Sequence, residues 1–306
     1  MNIPIVVFAY NRPEVLKETL FALKNNIGIA DHTLIFFCDG PKANAGTADL
    51  QKINQVRSLI QDINWSKAVI VNVKDKNEGL ANSIVKGITE VLNEYDAIIV
   101  LEDDIKTSPF FLRYMVDALN IYKKEEDVIS ISGYNYPIQS SSAEETFFIR
   151  GADCWGWATW KRGWKLFEND GQLLFDALVE SDLLYDFNFS GSYKYSTMLK
   201  KTIKVNHSWA VKWYASAYLN NKLTLYPRDS LVENIGAGTN GTNTKNENPL
   251  VFSGIKINAP IINFEKQIKE DKTMRRAMAD HMRKFTNIRF RILNYCSNVF
   301  RKWAMI

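Results

Sequence analysis

Across the first 132 residues, short apolar runs alternate with segments of helical period, and this alternation restricts the fold more than any other feature of the chain. Residues 3–9 (IPIVVFA), 33–38 (TLIFFC), 69–73 (VIVNV), 97–101 (AIIVL) and 128–132 (VISIS) are five apolar runs of strand length. Asn11 is placed to cap a first helix in which an early Pro13 is tolerated, with Val15, Leu16, Thr19, Leu20 and Leu23 on one face. A second helix is expected at about 48–62, a third at 80–95 with Leu80, Ile84, Ile88, Val91, Leu92 and Tyr95, and a fourth opened by Ser108-Pro109. Continuously apolar strands joined by helices predict an α/β fold: a Rossmann-like, mostly parallel sheet covered on both faces.

Ligands on such sheets bind beyond the carboxyl ends of the strands. The groups that follow the runs are therefore the candidates: Tyr10-Asn11-Arg12, Asp39-Gly40, Lys74-Asp75 and Glu102-Asp103-Asp104. Lys74 and Asp75 read as solvated loop charges, and Asp39-Gly40-Pro41 is equally readable as a turn. The acidic triplet is the strongest signal. Successive residues at a strand end splay to opposite sides, so three carboxylates surround one point. Such a point suits a hard divalent cation, Mn2+ or Mg2+, bound through one or two carboxylates and substrate phosphates. Acids at a helix start are the structural alternative.

Composition narrows the classes further. With 46% hydrophobic and 24% charged residues the chain is globular, and no run reaches the length of a membrane span. The start MNIPIVVFAYNRP reads as a strand rather than a secretion leader. Cys38, Cys154 and Cys296 have no paired spacing, which suggests neither a disulfide framework nor a zinc site and fits a reducing cytoplasm. The four Asn-X-Ser/Thr triplets, at Asn64, Asn188, Asn206 and Asn240, read as chance.

The net charge of +4 is concentrated: residues 283–306 carry six bases and no acid, on a body near −2, which argues against a nucleic-acid partner. Phe285, Ile288, Ile292, Cys296, Val299, Phe300 and Trp303 recur there at three- and four-residue steps. The tail is expected to form an amphipathic helix, lying on an anionic membrane surface or docked on the body.

Beyond residue 132 the pattern changes. Residues 147–164 hold four of the eight tryptophans; Trp157, Trp160 and Trp164 recur at helical spacing and read mostly as core, whereas Trp155 falls off the stripe and suits stacking on a sugar. Helices are expected at about 171–186 and 207–220, a strand at KLTLYP, and a loop at the Gly/Thr/Asn-rich 236–248.

The segments FAYNRP, FFCDGPK, KNEGLANS, IIVLEDDI followed by SPFF, WGWATW and SLVENIG together resemble bacterial family 2-like glycosyltransferases of the GT-A fold, over about residues 3–245. They are distantly similar to the eukaryotic N-acetylglucosaminyltransferase that begins complex N-glycan branching. The resemblance implies transfer, with inversion, of a sugar from a nucleotide-diphosphate donor (UDP by expectation) to a hydroxyl of a glycan or lipid-linked glycan, in bacterial surface polysaccharide synthesis. A cytoplasmic protein, peripheral on the inner face of the membrane, is then expected.

Carried to this sequence, the resemblance makes Asp104 the metal ligand, places Asp103 near the donor ribose and has Glu102 support both. It puts Asp39 at the nucleobase and Ala9, Tyr10, Asn11 and Arg12 along the nucleotide. It makes Gly238, Thr239 and Thr242 part of a lid, and Trp155 and Trp157 acceptor contacts. It divides the chain into a nucleotide-sugar half (1–132), an acceptor half of the same domain (133–265) and the tail (266–306).

The base that deprotonates the acceptor is not carried over. The relative's aspartate lies in a Trp-Asp-Asp-Trp-like helix start, and the corresponding Ser208-Trp209-Ala210-Val211-Lys212-Trp213 contains no acid. Asp153, in apolar Gly-Ala-Asp-Cys-Trp surroundings, is the candidate base. A helix cap or a partner for Arg150 is its alternative role. Glu168, Asp170 and Glu233 are weaker candidates, and His207 could approach the diphosphate. A sugar-phosphate nucleotidyltransferase should carry a glycine-rich loop after the first strand, and FAYNRPEVL has none. A non-catalytic carbohydrate-binding protein is the other alternative.

Overall fold

The computed structural model describes residues 3–138, 145–205, 208–236, 254–255 and 259–286. The five apolar runs form β1 (Ile5–Ala9), β2 (Thr33–Cys38), β3 (Ala68–Val73), β4 (Ala97–Glu102) and, after a short β5 (Ile105–Thr107), β6 (Val128–Ser132). The intervening helices are α1 (Pro13–Lys24), α2 (Thr47–Gln61), α3 (Leu80–Glu94) and α4 (Phe111–Ile121). There follow β7 (Thr146–Arg150), β8 (Trp157–Trp160), α5 (Lys161–Trp164), α6 (Gly171–Glu180), α7 (Leu184–Phe187), α8 (Tyr195–Lys204) and α9 (Ala210–Leu219). The described residues end with β9 (Leu223–Pro227), β10 (Val232–Asn234) and α10 (Lys272–Thr286).

Eight strands form one sheet in the order β3-β2-β1-β4-β8-β6-β9-β7, and β10 pairs with β5 in a small second sheet. Strands β3, β2, β1 and β4 are parallel neighbours, β6 and β9 are parallel to each other, and β8 and β7 run against their neighbours. The architecture is a mostly parallel, helix-flanked GT-A-like sheet. Period-two alternation sorts its side chains: Ile5, Val7 and Ala9 of β1 pack toward α1, α2 and α4, while Val6 and Phe8 pack toward α3. Each fully buried aliphatic side chain contributes about 1.5–3 kcal/mol by leaving water.

Several local expectations are corrected. The apolar β3 is not covered on both faces; as an edge strand it leaves Ile70, Val71 and Val73 38–47% exposed. Asn11 does not cap α1. Arg12 occupies the cap position, the helix begins at Pro13, and the Asn11 amide donates to Asp49 instead. The tryptophan stripe is not a helix. Trp157 and Trp160 lie on β8 and point to opposite faces, so both are buried through sheet alternation. The helix expected at 171–186 is interrupted at left-handed Asp182 (φ 53°), which separates α6 from α7.

Helix α10 packs on β7, and its Met274, Met278, Ala279 and Met282 join the core cluster that also holds residues of α6, α8 and α9, which fixes the first part of the C-terminal segment to the body. The remaining tail, 287–306, lies outside the described residues. No helix of the described residues is long and apolar enough to cross a membrane.

Candidate functional site

The carboxyl ends of β1, β2 and β4 bring three of the expected groups to one rim. Parallel pairing of β1 with β4 sets Phe8 opposite Glu102, so the residues that follow both strands emerge side by side. Arg12 turns back from the start of α1 onto the acids. Its Nη1 donates to Asp104 Oδ2 at 2.9 Å, its Nη2 to Asp103 Oδ1, and its Nε to Asp103 Oδ2 at 3.3 Å. Thr19 Oγ1, one helical face further along α1, donates to the backbone carbonyl of Asp103 at 2.8 Å and pins the turn between β4 and β5. Asp103 and Asp104 are both buried, 4% and 9% exposed.

Electrostatics leaves this cluster short of positive charge. Three carboxylates meet one guanidinium, so the fully ionised group carries a formal −2. Burial, then the charges of Asp104 and Asp103, push the Glu102 carboxyl up to about 8, with Arg12 opposing. Asp103 is raised to about 6 by burial, partly offset by Arg12. Among the described residues no three His, Cys, Asp or Glu side chains form an all-protein metal cage. This donor set instead fits a cation that takes one or two carboxylates and completes its shell with water and substrate phosphate.

The β5–β10 ribbon closes one side of the cluster. Ile235 N donates to the Asp104 carbonyl at 2.9 Å, and Gly236 N to Asn234 Oδ1 at 2.9 Å. A Cβ on Gly236 would lie 2.8 Å from Asp104 Cβ and Cγ. Glycine is therefore required for the backbone to pass this close to the carboxylate. The expected lid residues Gly238, Thr239 and Thr242 and also His207 lie outside the described residues.

Asp39 has a structural role that its sequence context does not reveal. Its Oδ1 accepts from Gly40 N and Glu78 N, both at 2.9 Å, and its Oδ2 accepts from Asn77 Nδ2 at 2.9 Å and Gly79 N at 3.1 Å. The carboxylate ties the end of β2 to the turn that starts α3, where Gly79 has φ 80°. Tyr10 and Asn11 lie half-buried on the same rim, and Ala9 ends β1.

On the other flank, residues 151–156 cross from the far end of β7 back over β9 and β6 to the start of β8. Two positive-φ glycines shape the crossing: Gly151 (φ 112°), whose missing side chain makes room for the Tyr214 ring, and Gly156 (φ 56°). The loop presents Asp153 half-buried. Its Oδ1 accepts from Cys154 N at 2.7 Å, and its Oδ2 faces the Tyr226 hydroxyl at 3.5 Å. Burial raises the Asp153 pKa, opposed by the backbone N–H groups of Cys154 and Trp155. Arg150 is not its partner; that guanidinium donates to the Tyr218 carbonyl and lies over the Tyr218 ring. The Cys154 thiol is held well above its usual pKa by burial, then by the charges of Asp153, Glu102 and Asp104.

The other expected groups are distributed unevenly. Trp155 is half-buried and meets Tyr134 edge-on at 4.7 Å. Trp157 is fully buried against Trp164, Trp209 and Trp213, so the expectation that it touches an acceptor is corrected: no face is open to a ligand. In the stretch that lacks the relative's acid, Trp209 and Trp213 complete this cluster and Lys212 is buried on Asn169. Asp170 caps α6 by accepting from Gln172 N and Leu173 N, and Glu168 accepts from Asp170 N. Glu233 lies on β10, paired with Lys106. Thr19, Asn77 and the tyrosines around Asp153 were missed, and Gly236 was read only as the start of the 236–248 loop. Each acts through a contact distant in sequence and carries no local motif.

The sequence profile described as glycosyl transferase family 2 matches residues 5–163, slightly more than half of the chain. The chain belongs to this family. The family 2 match spans β1 through α5, and so includes the acidic cluster, Arg12, Asp39 and Asp153. Solved structures similar to this chain include the mannosyltransferase PcManGT from Pyrobaculum calidifontis in complex with GDP-Man and Mn2+ (12% identity, TM-score 0.33, 54% of this chain and 45% of that one). Another is S. aureus TarS 1–349 in complex with UDP (12% identity, TM-score 0.39, 76% of this chain and 60% of that one). The chain thus spans less than two thirds of the length of either. No curated protein sequence matches it significantly.

Proposed function

We propose that this family 2 glycosyltransferase moves a sugar from a UDP-sugar to a hydroxyl of a glycan or lipid-linked glycan, with inversion at the anomeric carbon and with a divalent cation bound at Asp104. The observation that carries this reading is the charge imbalance at the end of β4: among the described residues Asp103 and Asp104 share one guanidinium, that of Arg12, with Glu102 beside them. A bound Mn2+ or Mg2+ would neutralise negative charge on the departing diphosphate.

The residues divide the work by position. Asp104 is assigned as the metal ligand, and Arg12 fixes it through Nη1 while adding positive charge on the donor side. Asp103 is assigned to the ribose and Glu102 to support of both. Asp39 shapes the base subsite through the Asn77–Gly79 turn, beside Ala9, Tyr10 and Asn11. Asp153 is the proposed base. As the acceptor oxygen bonds to the anomeric carbon, its proton passes to the Asp153 carboxylate, and the electron pair of the broken bond leaves with the diphosphate. Burial that raises the Asp153 pKa strengthens it as a proton acceptor. The basic 283–306 segment is proposed to touch an anionic membrane face, which suits a lipid-linked acceptor.

Donor hydrolysis and transfer by the full chain, with and without Mn2+, test the reading. Asp104→Asn is expected to abolish both, and Asp153→Asn to abolish transfer while leaving Mn2+-dependent UDP binding intact. Metal-independent turnover, or full transfer by Asp153→Asn, would overturn the corresponding assignment.

A further inference from the structure

A second cluster, beside Asp153, is not used by the donor chemistry. Trp155, Tyr134 and Tyr136 are linked by ring contacts with centroid separations of 4.7 Å and 5.2 Å, and Tyr195 meets Tyr193 at 4.6 Å. The Tyr136 and Tyr195 hydroxyls join the two groups at 3.3 Å. Trp155, Tyr136, Tyr193, Tyr195 and Asp153 are all half-buried, so the cluster is reached from solvent rather than sealed in the core.

Three separate elements converge here: the segment after β6, the 151–156 crossing, and the start of α8. Core packing alone would be served by phenylalanine. Placing hydroxyls around a half-buried carboxylate costs desolvation without adding apolar contact. Both Tyr136 and Tyr195 feel the charge of Asp153. The approach to α8 also carries strain. Phe189 (φ 49°) and Ser190 (φ 53°) are successive non-glycine residues in the left-handed region, followed by Gly191 (φ 73°). Asn188 holds that turn by bonding Ser196 N and Oγ, and the turn leads into Tyr195 at the start of α8, with Tyr193 against its ring.

We infer that this aromatic-hydroxyl wall is the acceptor subsite, binding a hexopyranoside by stacking its C–H face on Trp155 and by hydrogen bonds to the Tyr136 and Tyr195 hydroxyls, with one sugar hydroxyl at Asp153. The inference rests on the glycosyltransferase reading for its role. The binding itself depends only on the wall: aromatic faces match the apolar side of a pyranose, and fixed hydroxyls select among its epimers.

Saturation-transfer NMR on the full chain with p-nitrophenyl β-glucoside, β-galactoside and β-N-acetylglucosaminide tests it, alongside titration of UDP in the presence of Mn2+. At least one glycoside should receive saturation at its pyranose protons. That signal should fall at least fivefold in Tyr195→Phe and in Trp155→Ala, while UDP affinity changes less than twofold. Tyr195→Phe keeps the ring and removes one oxygen, so its loss of binding is separable from loss of fold, which a melting curve checks. Absence of any glycoside signal in the unmodified protein, or an undiminished signal in both variants, overturns the subsite. If UDP fails to bind while the glycoside signal is present and sensitive to Tyr195→Phe, the donor reading fails and the carbohydrate site stands.

Discussion

Gly236→Ala isolates the position of Asp104 from its chemistry. Gly236 does not have a left-handed backbone, so alanine meets no conformational penalty there. Its Cβ would, however, sit 2.8 Å from Asp104 Cβ and Cγ and closer still to Asp104 Oδ2. Ordinary contacts begin near about 3.2–3.5 Å, so the carboxylate or the ribbon must move by about 1 Å. Asp104 cannot retreat freely, because Arg12 Nη1 holds its Oδ2 and Ile235 N holds its carbonyl. A misplacement near 1 Å costs on the order of 100-fold in rate, about 2.7 kcal/mol of transition-state stabilisation. Overpacking adds a stability loss of about 1–3 kcal/mol.

The assay is Mn2+-dependent donor hydrolysis at a temperature well below both melting points, together with the shift in melting temperature produced by Mn2+ and UDP. The variant should show about 100-fold lower turnover and a weaker Mn2+ midpoint. If turnover and midpoint both stay within about twofold of the parent, the placement of Asp104 is irrelevant to activity and the metal assignment loses its structural basis.

Three other perturbations test neighbouring parts of the argument. Thr19→Val keeps the side-chain shape but leaves the buried Asp103 carbonyl without its donor, and should cost about 1–3 kcal/mol in denaturant unfolding, with a weaker Mn2+ response. Asp39→Asn sets an amide NH2 against two of the four donors from which the carboxylate accepts; a loss of about 2–3 kcal/mol and a larger loss of UDP affinity than of glycoside affinity are expected. The third concerns pH. Glu102 is raised to about 8 in the folded state, so between the ordinary carboxylate range and pH 8 the folded chain holds a proton that the unfolded chain has released. Metal-free stability should therefore fall as pH rises through that window. Mn2+ with UDP should flatten the slope, and a metal-free melting temperature that climbs from pH 5 to 8 contradicts the assignment.

Local residue order determined much of this protein. Apolar runs and helical periods gave β1, β2, β4, β6 and α1 to α4 within a few residues, because burial on both faces of a parallel strand demands an unbroken apolar sequence. The acids after β4 were legible for the same reason, since a parallel strand must end at the ligand rim. Tertiary structure decided what period cannot encode. Only sheet order made β3 an exposed edge, and only strand alternation, not helical spacing, buried Trp157 and Trp160. Arg12 on Asp103 and Asp104, Asn77 on Asp39, Gly236 against Asp104, and Tyr136 beside Tyr195 are contacts between residues 38 to 132 positions apart. A chain read along its length shows which groups are available; which of them meet depends on the folding of distant segments onto one another.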